Sequence, residues 1–189
     1  MEKIAALFAL LVLTFAVGCA APADEDDTAT VQQAGMVAKL PTCKVTERDY
    51  EDRPNFCEGK LSIVPSEWSD SDLATIEAAM QNWNALIGSE YFQLSLVESA
   101  QETCHISKGP RPDKVLATWK GTQNMIVDRE KIAASAHSEE RFQTTLQHEM
   151  GHSIGLRHRE SGVMCSSAWV TSEFNARDQE QCREAGLCK

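Results

Sequence analysis

The feature that most constrains this chain is the segment HEMGHSIGLRH at residues 148–158. In a helix, His148 and His152 project from one face one turn apart, so that two imidazole nitrogens can reach a single Zn²⁺. Gly155 can adopt a backbone conformation closed to other residues, which would end the helix and turn the chain so that His158 supplies a third ligand. Three neutral imidazoles leave one tetrahedral position for water, as in catalytic zinc sites. The segment therefore predicts Zn²⁺ as a cofactor, with these three His as the metal ligands.

The specificity of this pattern depends on its length. The short form HExxH arises by chance on ordinary amphipathic helices, where its polar side chains are only solvated. The extended form fixes five positions and should occur by accident in about one of ten thousand chains of this length. Three of the five His of the chain fall within it. Glu149 is the predicted catalytic residue, a general base toward water, whereas His105 and His137 are predicted to be core or surface residues.

Followed by the turn Ser161-Gly162-Val163-Met164, the segment resembles the signature of the metzincin zinc peptidases. The order of predicted elements is similar to that of the matrixin-like members, over roughly residues 59–170. The resemblance implies an α+β, metzincin-like fold with a twisted mixed five-stranded sheet, two long helices and a small Cys-containing C-terminal part. It also implies that Met164 forms an apolar floor beneath the metal, and that the chain is a zinc endopeptidase acting on proteins or peptides.

The same resemblance implies where a substrate would bind. An extended peptide would lie along an edge strand at Val115–Trp119, and Ser166–Val170 would form the wall of a side-chain pocket. Two positions depart from the family pattern. Ser166 stands where astacin-like and serralysin-like members carry a Tyr, and Arg159 matches none of the common residues after the third His, so the subfamily stays open.

Hydrophobic patterning predicts the remaining elements. Apolar residues at helical spacing predict one helix from Ser69 or Asp70 to Gly88 and a second from Ser138 to about Gly155. On the second helix, the apolar stripe lies opposite the metal-binding His. Five segments have the composition of strands: Lys60–Val64, Tyr91–Val97, Thr103–Ser107, Val115–Trp119 and Asn124–Asp128.

The N-terminus predicts export. Residues 1–18 combine a basic start with an apolar run and predict a signal peptide, which is too short for a membrane-spanning helix. Its end, Ala16-Val17-Gly18-Cys19, resembles the lipobox of bacterial lipoproteins, which implies lipidation of Cys19 and a membrane anchor. Cleavage nearby by an ordinary signal peptidase, with secretion, is the alternative. Residues 19–42 predict a flexible tether, and 43–189 the metallopeptidase domain of a monomeric protein.

Seven Cys form an odd number, so one is left over from disulfides. Assigning Cys19 to lipid leaves six, which predict three disulfides in an oxidising compartment. A Cys43–Cys57 pair is the favoured interpretation. The alternative is that Cys43 occupies the open zinc position, as a thiolate does in matrixin propeptides.

Charge and composition limit the functions open to this chain. The formal net charge of -10 repels nucleic-acid backbones, so no nucleic-acid partner is expected. Two rival functions remain open: a non-catalytic zinc-binding surface lipoprotein and a zinc hydrolase of cell-wall peptides.

Overall fold

The computed structural model of the protein describes residues 43, 57–100, 104–112, 114–120, 124–165 and 173–189. All of them belong to one compact unit, Lys39–Lys189. The predicted signal peptide 1–18, the tether 19–42 with Cys19, and the predicted pocket wall Ser166–Val170 lie outside the described residues.

In the described ranges, five strands form a single mixed sheet, which confirms the α+β class and agrees with the predicted number of strands. The strands stand in the order β2-β1-β3-β5-β4. Neighbours are parallel except for β4, which runs antiparallel to β5 at one edge. Their bounds are β1 Lys60–Ile63, β2 Gln93–Leu96, β3 His105–Lys108, β4 Ala117–Lys120 and β5 Asn124–Val127.

Four α-helices occur in the described ranges: α1 Asp70–Ile87, α2 Arg129–Ala133, α3 Ser138–Ser153 and α4 Ala176–Glu184. The two long ones, α1 and α3, confirm the prediction from apolar spacing. Ser69 caps α1 by accepting a hydrogen bond from the Asp72 amide at 3.1 Å, and Gly88 ends it with φ 79°. None of these helices combines the length and the apolar character that a bilayer-spanning helix requires.

The core lies where α1 packs against α3. Trp83 of α1 is fully buried, and its indole Nε1 donates a hydrogen bond of 2.9 Å to the Gln147 carbonyl of α3. The predicted apolar stripe of this second helix, Phe142, Leu146, Met150 and Ile154, is buried. This packing fixes one side of α3 against the core and leaves the other side for His148 and His152, the predicted metal ligands.

Three disulfides join the six remaining Cys, and their pairing corrects one prediction. The pairs are Cys43–Cys165, Cys57–Cys104 and Cys182–Cys188. The favoured Cys43–Cys57 pair was wrong, because Cys57 and Cys104 precede the neighbouring parallel strands β1 and β3 and therefore meet. Cys43 instead lies beside the loop before Cys165, and its amide donates to the Glu160 carbonyl at 2.8 Å.

A buried ion cluster joins α1, α2, α3 and the end of β3. Asp72, 4% exposed, accepts hydrogen bonds from Arg129 at 2.7 Å and Lys108 at 3.1 Å. Arg129 also lies over the Phe142 ring, and Lys108 over the Trp68 ring. Burial alone would raise the pKa of Asp72, but the hydrogen bonds and charges of the two cations outweigh it and hold this pKa below its ordinary value.

Replacing Asp72 with Asn should therefore lower the free energy of unfolding by about 1.5–3 kcal/mol at neutral pH. The native pKa of Asp72 is lowered, so its contribution is present above the unfolded-state pKa and is lost as the pH falls through the native value. Urea unfolding should show a constant difference in unfolding free energy between the unaltered protein and Asp72→Asn from about pH 5 to 7. This difference should shrink below about pH 4. Asp70→Asn, at an exposed position of the same helical turn, is the control. Equal unfolding free energies for Asp72→Asn and Asp70→Asn would contradict a stabilising role of the ion pairs of Asp72.

Candidate metal centre

Helix α3 supplies the first two imidazoles. His148 and His152 stand one turn apart on it, with their Nε2 atoms 3.1 Å apart. His152 is buried and His148 is half-buried. The helix therefore presents both rings at the border between core and surface, on the side away from the apolar stripe.

The third imidazole arrives by a turn at Gly155. This residue has φ 89°, in the left-handed region that favours glycine, and its amide donates to the His152 carbonyl at 3.1 Å. The chain then brings His158 back toward the helix. Its Nε2 lies 3.2 Å from that of His148 and 3.1 Å from that of His152. The structural-turn role predicted for Gly155 thus matches its conformation, and the three predicted ligands converge.

Hydrogen bonds at the far side of two rings determine which nitrogens face the centre of the group. His148 Nδ1 lies 2.8 Å from the Val163 carbonyl oxygen, and His152 Nδ1 lies 2.8 Å from the Leu156 carbonyl oxygen. A carbonyl only accepts, so each Nδ1 carries the proton of the neutral ring and each Nε2 presents a lone pair. Two lone pairs facing each other at this distance repel unless a cation lies between them. One proton can bridge only two nitrogens, whereas a metal ion can bind all three.

The spacing fits a metal ion. Imidazole nitrogens at about 2.0–2.1 Å from a tetrahedral Zn²⁺ stand about 3.3 Å from one another, close to the observed 3.1–3.2 Å. Among the described residues, His148, His152 and His158 form the group of His, Cys, Asp and Glu side chains that could hold an ion. The group can therefore hold a metal, and an all-imidazole set suits zinc, copper, iron and nickel.

Met164 lies directly against helix α3. Its side chain is fully buried and packs on Gly151, where a Cβ would collide with the Met164 sulfur. Gly162 has φ 84°, and a Cβ there would collide with the Asp178 carboxylate. The two glycines thus permit close packing of the turn between α3 and α4.

Asp178 of α4 holds this turn from the other side. It is 1% exposed and accepts hydrogen bonds from the amides of Val163 at 3.2 Å, Met164 at 3.5 Å and Asn175 at 2.8 Å. Burial raises the pKa of Asp178 above its ordinary value, although these hydrogen bonds act in the opposite direction. Sequence reasoning missed this residue. The capping-box pattern of Asn175 and Asp178 could have revealed the helix start, but not the contact with the turn.

Glu149 follows the first ligand in α3 and is 8% exposed. Its carbonyl oxygen accepts a hydrogen bond of 2.6 Å from the Trp119 indole, which ties the edge strand β4 to α3. The predicted base and the predicted substrate strand are therefore neighbours through the main chain.

The two other His lie outside this group. His105 is a core residue, 1% exposed, with Nδ1 3.1 Å from the Ser62 hydroxyl. Burial lowers its pKa, while the charge of Glu67 acts in the opposite direction. His137 is exposed immediately before α3.

Comparison with known families finds no family model that matches this chain, and comparison with curated proteins finds no match.

Proposed function

We propose that this protein is a zinc-dependent endopeptidase of the metzincin type, similar to the matrixin-like members. The observation that carries the proposal is the convergence of three Nε2 atoms at 3.1–3.2 Å, two of them oriented by carbonyls. A set of three imidazoles is typical of catalytic zinc, whereas structural zinc sites have four protein ligands. The five-stranded mixed sheet, α1 and α3 support a metzincin-like fold.

His148, His152 and His158 would hold the zinc ion, and Met164 would lie beneath them. When bound, zinc supplies Lewis acidity and lowers the pKa of water. Glu149 then has the role of general base, taking a proton from the attacking water and passing it to the leaving amine. No covalent bond between enzyme and substrate is needed, because water is the nucleophile.

Strand β4 is the place where we propose that substrate binds. In the described part of the sheet, β4 pairs with β5 on one side and forms the edge on the other. An extended peptide can therefore add main-chain hydrogen bonds as a further strand. The hydrogen bond from Trp119 to Glu149 would couple the position of this strand to the catalytic helix.

We also propose that the protein is exported and anchored by lipid on Cys19. The disulfides are compatible with an extracytoplasmic location. Lipidation would account for the seventh Cys, since the other six are paired. Proteins or peptides outside the cytoplasm are then the expected substrates.

Metal removal tests this function most directly. The purified protein should contain about one zinc per chain, cleave an unfolded protein such as casein, lose that activity with a chelator and regain it with Zn²⁺. His158→Ala should lose both zinc and activity, while the exposed His137→Ala should keep both. Zinc binding without any cleavage would support the non-catalytic lipoprotein instead, and cleavage of purified cell wall but not casein would support a cell-wall hydrolase. Full turnover by zinc-free protein would refute the proposal.

A further inference from the structure

We propose that Gln181 is a positioning residue for the third metal ligand, His158. Gln181 lies on α4, is 4% exposed, and donates a hydrogen bond of 2.8 Å from Nε2 to the Arg157 carbonyl oxygen. That carbonyl belongs to the peptide group that joins Arg157 to His158. The hydrogen bond therefore fixes the orientation of the backbone on the N-terminal side of the ligand. The proposal rests on metal binding by the three His and not on peptidase activity.

The need for such a support follows from where the ligands lie. His148 and His152 belong to α3, whose helical hydrogen bonds hold their backbones. His158 lies in a segment without helix or strand. One of its neighbours, Arg159, donates its amide to the Met164 carbonyl at 2.9 Å. Gln181 supplies the corresponding hydrogen bond to the other neighbour, so the ligand is held on both sides.

The chemistry of Gln181 also indicates a role in this contact. Its Oε1 is buried without a hydrogen-bond partner in the described part of the chain. Only the amide nitrogen can donate to a carbonyl, so the orientation of the side chain is unambiguous. A buried Gln that uses one of its two polar ends offers little to stability alone, because an apolar residue of the same shape would avoid the cost of the other end. The hydrogen bond to the Arg157 carbonyl is the contact that needs an amide donor at this position.

Helix α4 is built to keep this amide in place. It begins with a capping box between Asn175 and Asp178, and Asp178 accepts hydrogen bonds from the amides of Val163 and Met164. The disulfide between Cys182 and Cys188 closes the helix end next to Gln181. Helix α4 thus supports two groups near the three His. One is the turn whose Val163 carbonyl orients His148, and the other is the Arg157 carbonyl that precedes His158. Groups that hydrogen-bond directly to metal ligands typically change metal affinity by about 10–100-fold, and Gln181, which acts through the backbone, should have an effect at the lower end of this range.

The test compares Gln181→Met, which keeps the size and removes the donor, with Gln179→Met at an exposed position of the same helix. Competition with a chelator should show zinc affinity weakened about 10-fold in the first variant and unchanged in the second. The visible spectrum of the Co²⁺-substituted protein should also change only in the first. A role in stability alone predicts a lower melting temperature of the metal-free protein with unchanged zinc affinity of the folded molecules, and that result would overturn the proposal.

A measurement on the unaltered protein decides the question if Gln181→Met does not fold. Coupling between two sites is reciprocal, so zinc should strengthen the Gln181 hydrogen bond as the bond strengthens zinc binding. Hydrogen exchange of the Gln181 side-chain amide should therefore slow when Zn²⁺ is added. Exchange unaffected by zinc would overturn the proposal. A protein that binds zinc but cleaves no peptide would contradict the peptidase function and leave this test intact.

Discussion

Replacing Glu149 with Gln should lower kcat/KM for peptide hydrolysis by about 10²–10⁴-fold while the zinc content stays the same. Gln has the size of Glu but cannot accept and return a proton, so it removes general-base catalysis. The three imidazoles that converge within 3.1–3.2 Å do not include this residue, so the metal should remain bound. Zinc analysis and steady-state kinetics on the same preparation measure both quantities.

Glu140→Gln is the matched control for this experiment. Glu140 lies in the first turn of α3 and is exposed, so the same change of charge is made on the same helix without touching the site. It should leave both zinc and kcat/KM unchanged. If Glu149→Gln retained the activity of the control, Glu149 would have no part in proton transfer. If it lost zinc as well, its role would be in the metal site rather than in the chemical step.

The sequence predicted the elements whose signals are local. The cap at Ser69 and the left-handed Gly88 bound α1 as their residue types require. The spacing of His148, His152 and His158 predicted that they converge, because helix periodicity fixes the first two and Gly155 permits the turn to the third. For these residues, neighbours in sequence determine the geometry.

The strand ends were predicted less accurately, because groups distant in sequence compete for backbone hydrogen bonds. The strand predicted at Val115–Trp119 is Ala117–Lys120. The Val115 carbonyl accepts a hydrogen bond from the Lys131 ammonium at 3.1 Å, and the Leu116 carbonyl accepts one from the Asp128 amide at 2.8 Å. The Val115 carbonyl is therefore used outside the ladder, whereas the Leu116 contact continues the register of Ala117 with Val127, and the regular strand begins two residues later than the side-chain pattern indicates.

The contacts of α4 were beyond sequence reasoning for a related reason. Asp178 and Gln181 look like ordinary polar residues of a short C-terminal helix. Their importance comes from the amides and the carbonyl of a loop that lies 14 or more residues earlier. No periodicity or spacing in the sequence encodes such a pairing. The same holds for the disulfides, since Cys57 pairs according to strand adjacency and not according to its distance along the chain.

Replacing both Cys43 and Cys165 with Ser should lower the free energy of unfolding by about 4–5 kcal/mol. Their disulfide spans 122 residues, so removing it frees most of the unfolded chain. The disulfide between Cys182 and Cys188 spans six residues, and loop-closure entropy assigns it about 2 kcal/mol. Guanidinium unfolding of the two double-Ser variants and the unaltered protein, all without metal, measures the difference.

The same pair of variants separates loop entropy from local support of the site. Cys165 directly follows Met164, and Cys43 binds the Glu160 carbonyl, so the first disulfide holds the loop between the third ligand and the turn. Loss of Cys43–Cys165 should therefore weaken zinc affinity in addition to stability, because the loop that carries His158 gains freedom before the metal binds. Equal destabilisation by the two double-Ser variants would contradict the entropic origin. Unchanged zinc affinity in folded Cys43→Ser/Cys165→Ser protein would show that α4 alone is sufficient to hold the loop.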